Sequence, residues 1–192
     1  MAQSSSRQAG QFTLEFVSRE CSGCRDHLIN LYRSNPDLVT LGSGIIPRDS
    51  IMSMVNHSDG RLLAREAMTR LHRIAVGCEA GILVPSIVAN LEGAFIVNTT
   101  VRWAHFLVHM RSRPGFETAY DALLRLVRTV CENRVDNSVQ KPYWNAVAAW
   151  ADDPAKAERL ARVQAAVHGK DRRAAPRGGP QVDEESTLPP SE

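Results

Sequence analysis

The sequence is poor in charge of one sign: 23 Lys plus Arg stand against 21 Asp plus Glu, a formal net charge of +2. Recruitment to nucleic acid or to an anionic membrane by charge alone is therefore disfavoured. Cysteine is scarce as well, with four residues (Cys21, Cys24, Cys78 and Cys131) in a chain of 192, too few for a disulfide-built scaffold. The first ten residues are polar and lack the apolar core of a secretory signal, so a reducing, cytosolic compartment is expected. Long hydrophobic runs are missing too. The richest stretch, Ile82 to Met110, is interrupted by Pro85, Asn90, Glu92, Asn98 and Arg102 and falls short of the roughly 20 nearly unbroken apolar residues that a membrane span needs. The glycines do not gather into a phosphate-binding loop, no serine sits in a nucleophile elbow, and no carboxylate pair stands apart from solvated charge. Neither catalysis nor a cofactor is expected.

What is present belongs to an ordinary globular domain, with 43% apolar and 23% charged residues and a length suited to one core. Residues 1–10, rich in Ser and Gln, read as a flexible N-terminus. From Gly169 onward glycines and prolines mix with the basic Lys170, Arg172 and Arg173 and then with the acids Asp183, Glu184 and Glu185, which reads as a disordered polar tail over 169–192. The domain then spans 11–168.

Within it the apolar residues recur at helical spacing. The first helix runs over Phe12–Tyr32, with an interruption allowed at Gly23, and a long connection through Asn35-Pro36 and Gly42-Ser-Gly44 follows. A second helix extends from Leu62 to Ala80, capped by Ser58 or Asp59 and stopped by Gly81. A shorter one starts at Pro85, where the missing N–H costs little, and ends before Asn98. Asn98, Thr99 and Thr100 are then cap candidates for Val101–Ser112, whose apolar coverage is so wide that it reads as a helix wrapped by others. Phe116–Arg134, the region of Tyr143 to Trp150, and a helix after Pro154 to Val167 complete an all-α chain of seven or eight helices.

Two clusters are metal-compatible in residue type. Cys21-Ser-Gly-Cys24 with His27 has no second pair at comparable spacing, which a structural zinc site needs, and thiols of this kind usually lie in interiors. His105 and His109 stand four apart on one helical face but have no acid near them in sequence, so surface or packing histidines are the expectation and no metal is assigned. The aromatics Phe95, Trp103, Tyr143, Trp144 and Trp150 flank the apolar helix. They either fill a core, as large side chains usually do, or border a trough that could receive a foreign helix.

Three collinear segments resemble the Bcl-2 family of apoptosis regulators. Ala67 to Cys78, containing Leu71-His-Arg-Ile74-Ala75-Val76, is similar to the family's third homology motif. Leu91-Glu-Gly-Ala-Phe95 through Val101-Arg102-Trp103-Ala104-His105 is similar to the first, whose family form has Glu-Leu-Phe shortly before Val-Asn-Trp-Gly-Arg. Tyr143-Trp144-Asn-Ala-Val147-Ala-Ala-Trp150 is similar to the end of the second. Trp103 and Trp144 lie 41 residues apart, and the resemblance covers about Phe12 to Asp153.

The resemblance implies a Bcl-2-like bundle around a buried central helix, with a groove for the third-motif (BH3) helix of a pro-apoptotic partner. Leu71 and Ile74 would form one wall, Leu91 and Phe95 another, Val101 and Ala104 the floor, and His105 with Arg102 the polar anchor, while Trp103, Trp144, Val147 and Trp150 would pack the core. Departures bear on mechanism. His105 stands where the family has an Arg that makes a charged hydrogen bond to a partner Asp, a bond contributing about 1.5–3 kcal/mol, so weaker and more pH-sensitive binding is implied. Ala104 replaces the family's Gly, Arg102 its Asn, and Val76 its third-motif Asp. A polar C-terminus replaces the family's membrane anchor, implying mitochondrial residence only through partners. Such features resemble versions carried by large DNA viruses and imply a viral inhibitor of host cell death, cytoplasmic in the host cell, monomeric or homodimeric. The rival expectation is a helical viral structural or assembly protein acting by self-association.

Overall fold

The computed structural model describes residues 2–40, 44–133 and 141–164, and every regular element among them is helical. The longest, α1 (Ala2–Ser34), starts ten residues before Phe12 and includes much of the segment read as a loose N-terminus. Its buried residues Val17, Cys21, Cys24, Leu28 and Leu31 alternate steps of four and three, the seam that lets two helices lie nearly side by side. That seam rests along α4 (Ser58–Glu79), which buries Ala64, Ala67, Met68, Leu71, Ile74 and Ala75.

Gly23 does not interrupt α1. A methyl group there would come within 2.5 Å of the Arg70 guanidinium carbon. The missing side chain lets Arg70 reach across from α4 and donate to the buried Glu20 carboxylate at 3.3 Å.

The connection after α1 is not bare loop: it carries α2 (Asp37–Thr40) and α3 (Arg48–Val55), the latter burying Ile51, Met54 and Val55. α4 begins at Ser58, four residues before the expected Leu62, with Asp59 in its positively polarised first turn. It ends where Gly81 takes a left-handed φ of +68°.

The central element differs from expectation in both start and continuity. α5 (Pro85–Arg102) does not end before Asn98 but continues four residues past it, and α6 (Ala104–Arg111) follows after a break at Trp103. Val101 and Arg102 therefore belong to the helix that starts at Pro85. The break has a local cause: the Arg102 carbonyl accepts from the Ile46 N–H at 3.0 Å and so leaves the helical ladder. Thr100, read from sequence as a cap, instead folds its hydroxyl back to the Ile96 carbonyl at 2.6 Å, the bond by which threonine is accommodated inside a helix. From Ile96 to Leu107 only Asn98 and Arg102 escape burial.

α1, α4 and α7 (Asp121–Glu132) pack on α5, α3 packs on α6, and α8 (Lys141–Asp152) packs on α7. α7 is sharply two-faced, with Leu123, Leu124, Val127, Val130 and Cys131 inward and Arg125, Arg128 and Glu132 outward. It starts five residues later than Phe116, because Pro114-Gly115 and a left-handed Tyr120 (φ +66°) hold the preceding chain in turns. A 3₁₀ turn (Pro154–Lys156) and a helical stretch over 157–164 close the described chain. The tail over 169–192, and Val167 with it, lie outside the described residues.

Gly23→Ala is expected to displace Arg70 and weaken its hold on Glu20, at a cost of about 1–3 kcal/mol for overpacking. Denaturant unfolding checks this. In an Arg70→Met background, where the clash is gone, the same change should cost clearly less.

Candidate functional site

The eight residues assigned to a groove do not come together as one. Leu71, Ile74 and Ala104 have no exposed surface and Val101 has 1%, so they are core and cannot be walls or floor of an open trough. They are buried because the α1–α4 seam and the hub around Trp103 use the same apolar faces. Leu91 is 44% exposed on α5. Phe95 is half-buried beneath Arg25, whose guanidinium stands 4.1 Å from the ring centroid while donating to Glu92 at 2.6 Å.

Arg102 is not offered to a partner. Its Nε donates to the Tyr32 hydroxyl at 3.1 Å, Nη1 to the Gly44 carbonyl at 3.0 Å and Nη2 to the Leu38 carbonyl at 2.7 Å. This fork ties the last turn of α1, α2 and the chain before α3 to the break between α5 and α6. Tyr32 in turn stacks on Trp103, with ring centroids 6.3 Å apart, and Trp103 meets Phe106 edge-on at 6.0 Å. Trp103 and Trp150 are fully buried, as is Val147, with Trp144 close to it. The indole N–H groups of Trp103 and Trp150 have no hydrogen-bond partner among the described residues, so both rings are held by packing.

Of the residues assigned to the groove, His105 borders an open cleft along α6, and the core residue Trp150 borders another, of about 370 Å³, between α8 and the closing segment. On α6 the residues His105, Val108, His109 and Ser112 fall at i, i+3, i+4 and i+7, one face of a helix. They line a cavity of about 330 Å³ whose other sides are Arg48 and Met52 of α3 and Ala155, Ala157 and Glu158 of the closing segment. A second hollow of about 290 Å³ shares Val108, Ser112 and Ala155 and adds Arg111, Glu117, Asp153 and Pro154. The two form a furrow along α6, between α3 and the chain that follows α8. Sequence periodicity had no signal for it, because α3 and Glu158 approach α6 only through tertiary packing. Phe95 is not part of this furrow.

The electrostatics of the furrow are mixed. His105 Nε2 lies 3.6 Å from Glu158 Oε1. Burial holds the His105 imidazole below its ordinary value, with Glu158 pulling upward and Arg48 adding to the depression. His109 is lowered as well, by burial and then by Arg113 and Arg61.

The Cys-x-x-Cys pair faces the core. Burial pushes the Cys21 and Cys24 thiols up to about 12, which withholds the thiolate that metal binding or disulfide exchange requires. Comparison with protein-family profiles, characterised proteins and solved structures finds no match.

Arg102→Met should remove the fork and cost about 2–3 kcal/mol, since bonds from a charged donor are the stronger class. Amide exchange at Ile46 should accelerate with it. Acidification supplies a second outcome. His72, like His105 and His109, is lowered mainly by burial, its Nδ1 is enclosed without a partner among the described residues, and its ring meets Tyr120 at 5.6 Å. The unfolded chain takes up these protons near pH 6.5 and the folded one only below it. The stabilisation is thus complete above that pH and is lost as the pH falls through the interval beneath it. The urea midpoint should drop between pH 7.5 and 5.5, and His72→Phe, which keeps the ring contact, should flatten the drop.

Proposed function

We propose that the chain is a non-enzymatic interaction module of Bcl-2 type that holds an amphipathic pro-apoptotic helix, as a viral inhibitor of host cell death would. The observation that carries this reading is the cavity beside α6, lined by Val108, His109, Ser112 and the edge of the buried His105; it begins where the first-motif resemblance ends, at Ala104 and His105, and lies beside the turn that follows the second-motif helix. A partner helix needs an apolar strip with polar groups at its edge. Met52, Val108, Ala155 and Ala157 supply the strip, and Arg48, His105 and Glu158 the edge.

In this reading the contact surface differs from the one that the motif positions imply. His105 keeps its role as polar anchor, whereas Leu71 and Ile74 fill the seam between α1 and α4, Val101 and Ala104 the core around Trp103, and Arg102 braces the break beside α6. The partner is then a BH3 helix, bound in the cytoplasm of a host cell. Among the described residues no helix is long and apolar enough to cross a membrane, and contact with mitochondria would pass through the partner.

Fluorescence anisotropy with labelled pro-apoptotic helix peptides tests the proposal. Binding at or below tens of micromolar is expected, and Met52→Arg, which fills the strip with charge, should weaken it at least tenfold, about 1.4 kcal/mol. Phe95→Ala, outside the furrow, should leave affinity within about twofold. A folded chain that binds no such peptide, or that binds equally well as Met52→Arg, would sink the reading.

A further inference from the structure

The cavity of about 370 Å³ between α8 and the closing segment shares no lining residue with the furrow along α6. Ala146, Ala149 and Trp150 line it from α8, and Leu160 and Val163 from the closing segment, together with Lys156 and Arg159. We propose that this cavity binds a small amphipathic anion, an apolar chain that ends in a carboxylate. The inference stands on the side chains around this cavity and not on the interaction reading above.

The lining has the two parts such a ligand needs. Sites for small molecules are concave, span about 300–1,000 Å³ and are mostly apolar, with a few polar groups that fix orientation. Trp150, Leu160 and Val163 supply the apolar surface, and α8 leaves room by presenting alanines at 146 and 149, where longer side chains would take up the space. Trp150 and Leu160 are each 1% exposed, so the core holds this part of the wall in place without a ligand.

The charge is of one sign. Lys156 and Arg159 line the cavity and no acidic side chain does, whereas in the furrow Glu158 stands with Arg48. Lys156 Nζ holds Asp153 at 2.8 Å, but an ammonium has three donors. Arg159 takes part in no ion pair or hydrogen bond among the described residues and keeps its planar fork for a carboxylate. Both cations are exposed, so a carboxylate held by them stays in contact with water and escapes the cost of burying a charge. The apolar chain gains by leaving water for Trp150 and Leu160.

Calorimetric titration of the full chain with decanoate, below its micellar concentration, tests the site. Saturable binding is expected. Hexanoate, four methylenes shorter, should bind at least about tenfold more weakly, since each buried methylene changes affinity about threefold to fourfold. Decanol, which keeps the chain without the charge, should bind at least about fivefold more weakly. Arg159→Gln and Ala149→Glu, both at exposed helical positions and compatible with folding, should each weaken decanoate at least about fivefold, while Met52→Arg in the furrow should leave it within about twofold. No saturable binding up to about 1 mM decanoate, equal binding of decanol or of hexanoate, or unaltered binding in either Arg159→Gln or Ala149→Glu would overturn the proposal. So would a loss confined to Met52→Arg, which would put the ligand in the furrow.

Discussion

The fork of hydrogen bonds from Arg102 is the interaction on which the rest of the arrangement depends. One guanidinium collects the Tyr32 hydroxyl and the carbonyls of Leu38 and Gly44, while the backbone carbonyl of the same residue accepts from Ile46. Three separate stretches of chain are thereby brought to the point where the central helix breaks. A cation placed in so buried a neighbourhood needs its donors satisfied, and carbonyls at helix and loop ends are the acceptors that need partners. Each side of the contact therefore answers the other's requirement. The break at Trp103 lies at this junction.

Core and surface divide along the central element. α1, α4 and α7 pack on α5, and the motif positions Leu71, Ile74, Val101 and Ala104 become interior, while Leu91 stays exposed. Along α6 the cover is thinner, with α3 on one flank and the closing segment on the other, and a furrow remains. The chemistry available there, two histidines and one carboxylate over a strip of Met, Val and Ala, comes from what packs beside α6.

The sequence made the helical class legible, and several termini with it. Gly81 stops α4 and Pro85 opens α5 because their φ preferences act within one residue, whatever lies across the core. Elsewhere local signals were outvoted. Asn98-Thr99-Thr100 has the composition of a cap, yet the hub buries Thr99 and Thr100 and the helix runs through, since satisfying their backbone inside a core requires the ladder to continue. Gly23 offered a break and proved to be clearance for Arg70. The motif positions Leu71, Ile74, Val101 and Ala104 were visible as apolar, but which apolar residues line a surface and which fill a core depends on what covers them.

Sequence by itself determined the properties that live within a turn or two of chain: helices from the 3.6-residue recurrence of apolar side chains, starts and stops from Pro85 and Gly81, and the i, i+4 pairing of His105 with His109. Tertiary structure alone decided that Arg102 braces instead of binding, that Glu158 meets His105, and that the open face belongs to α6. Those outcomes join residues tens of positions apart, and such contacts are set by competition among faces for burial, which no local pattern records.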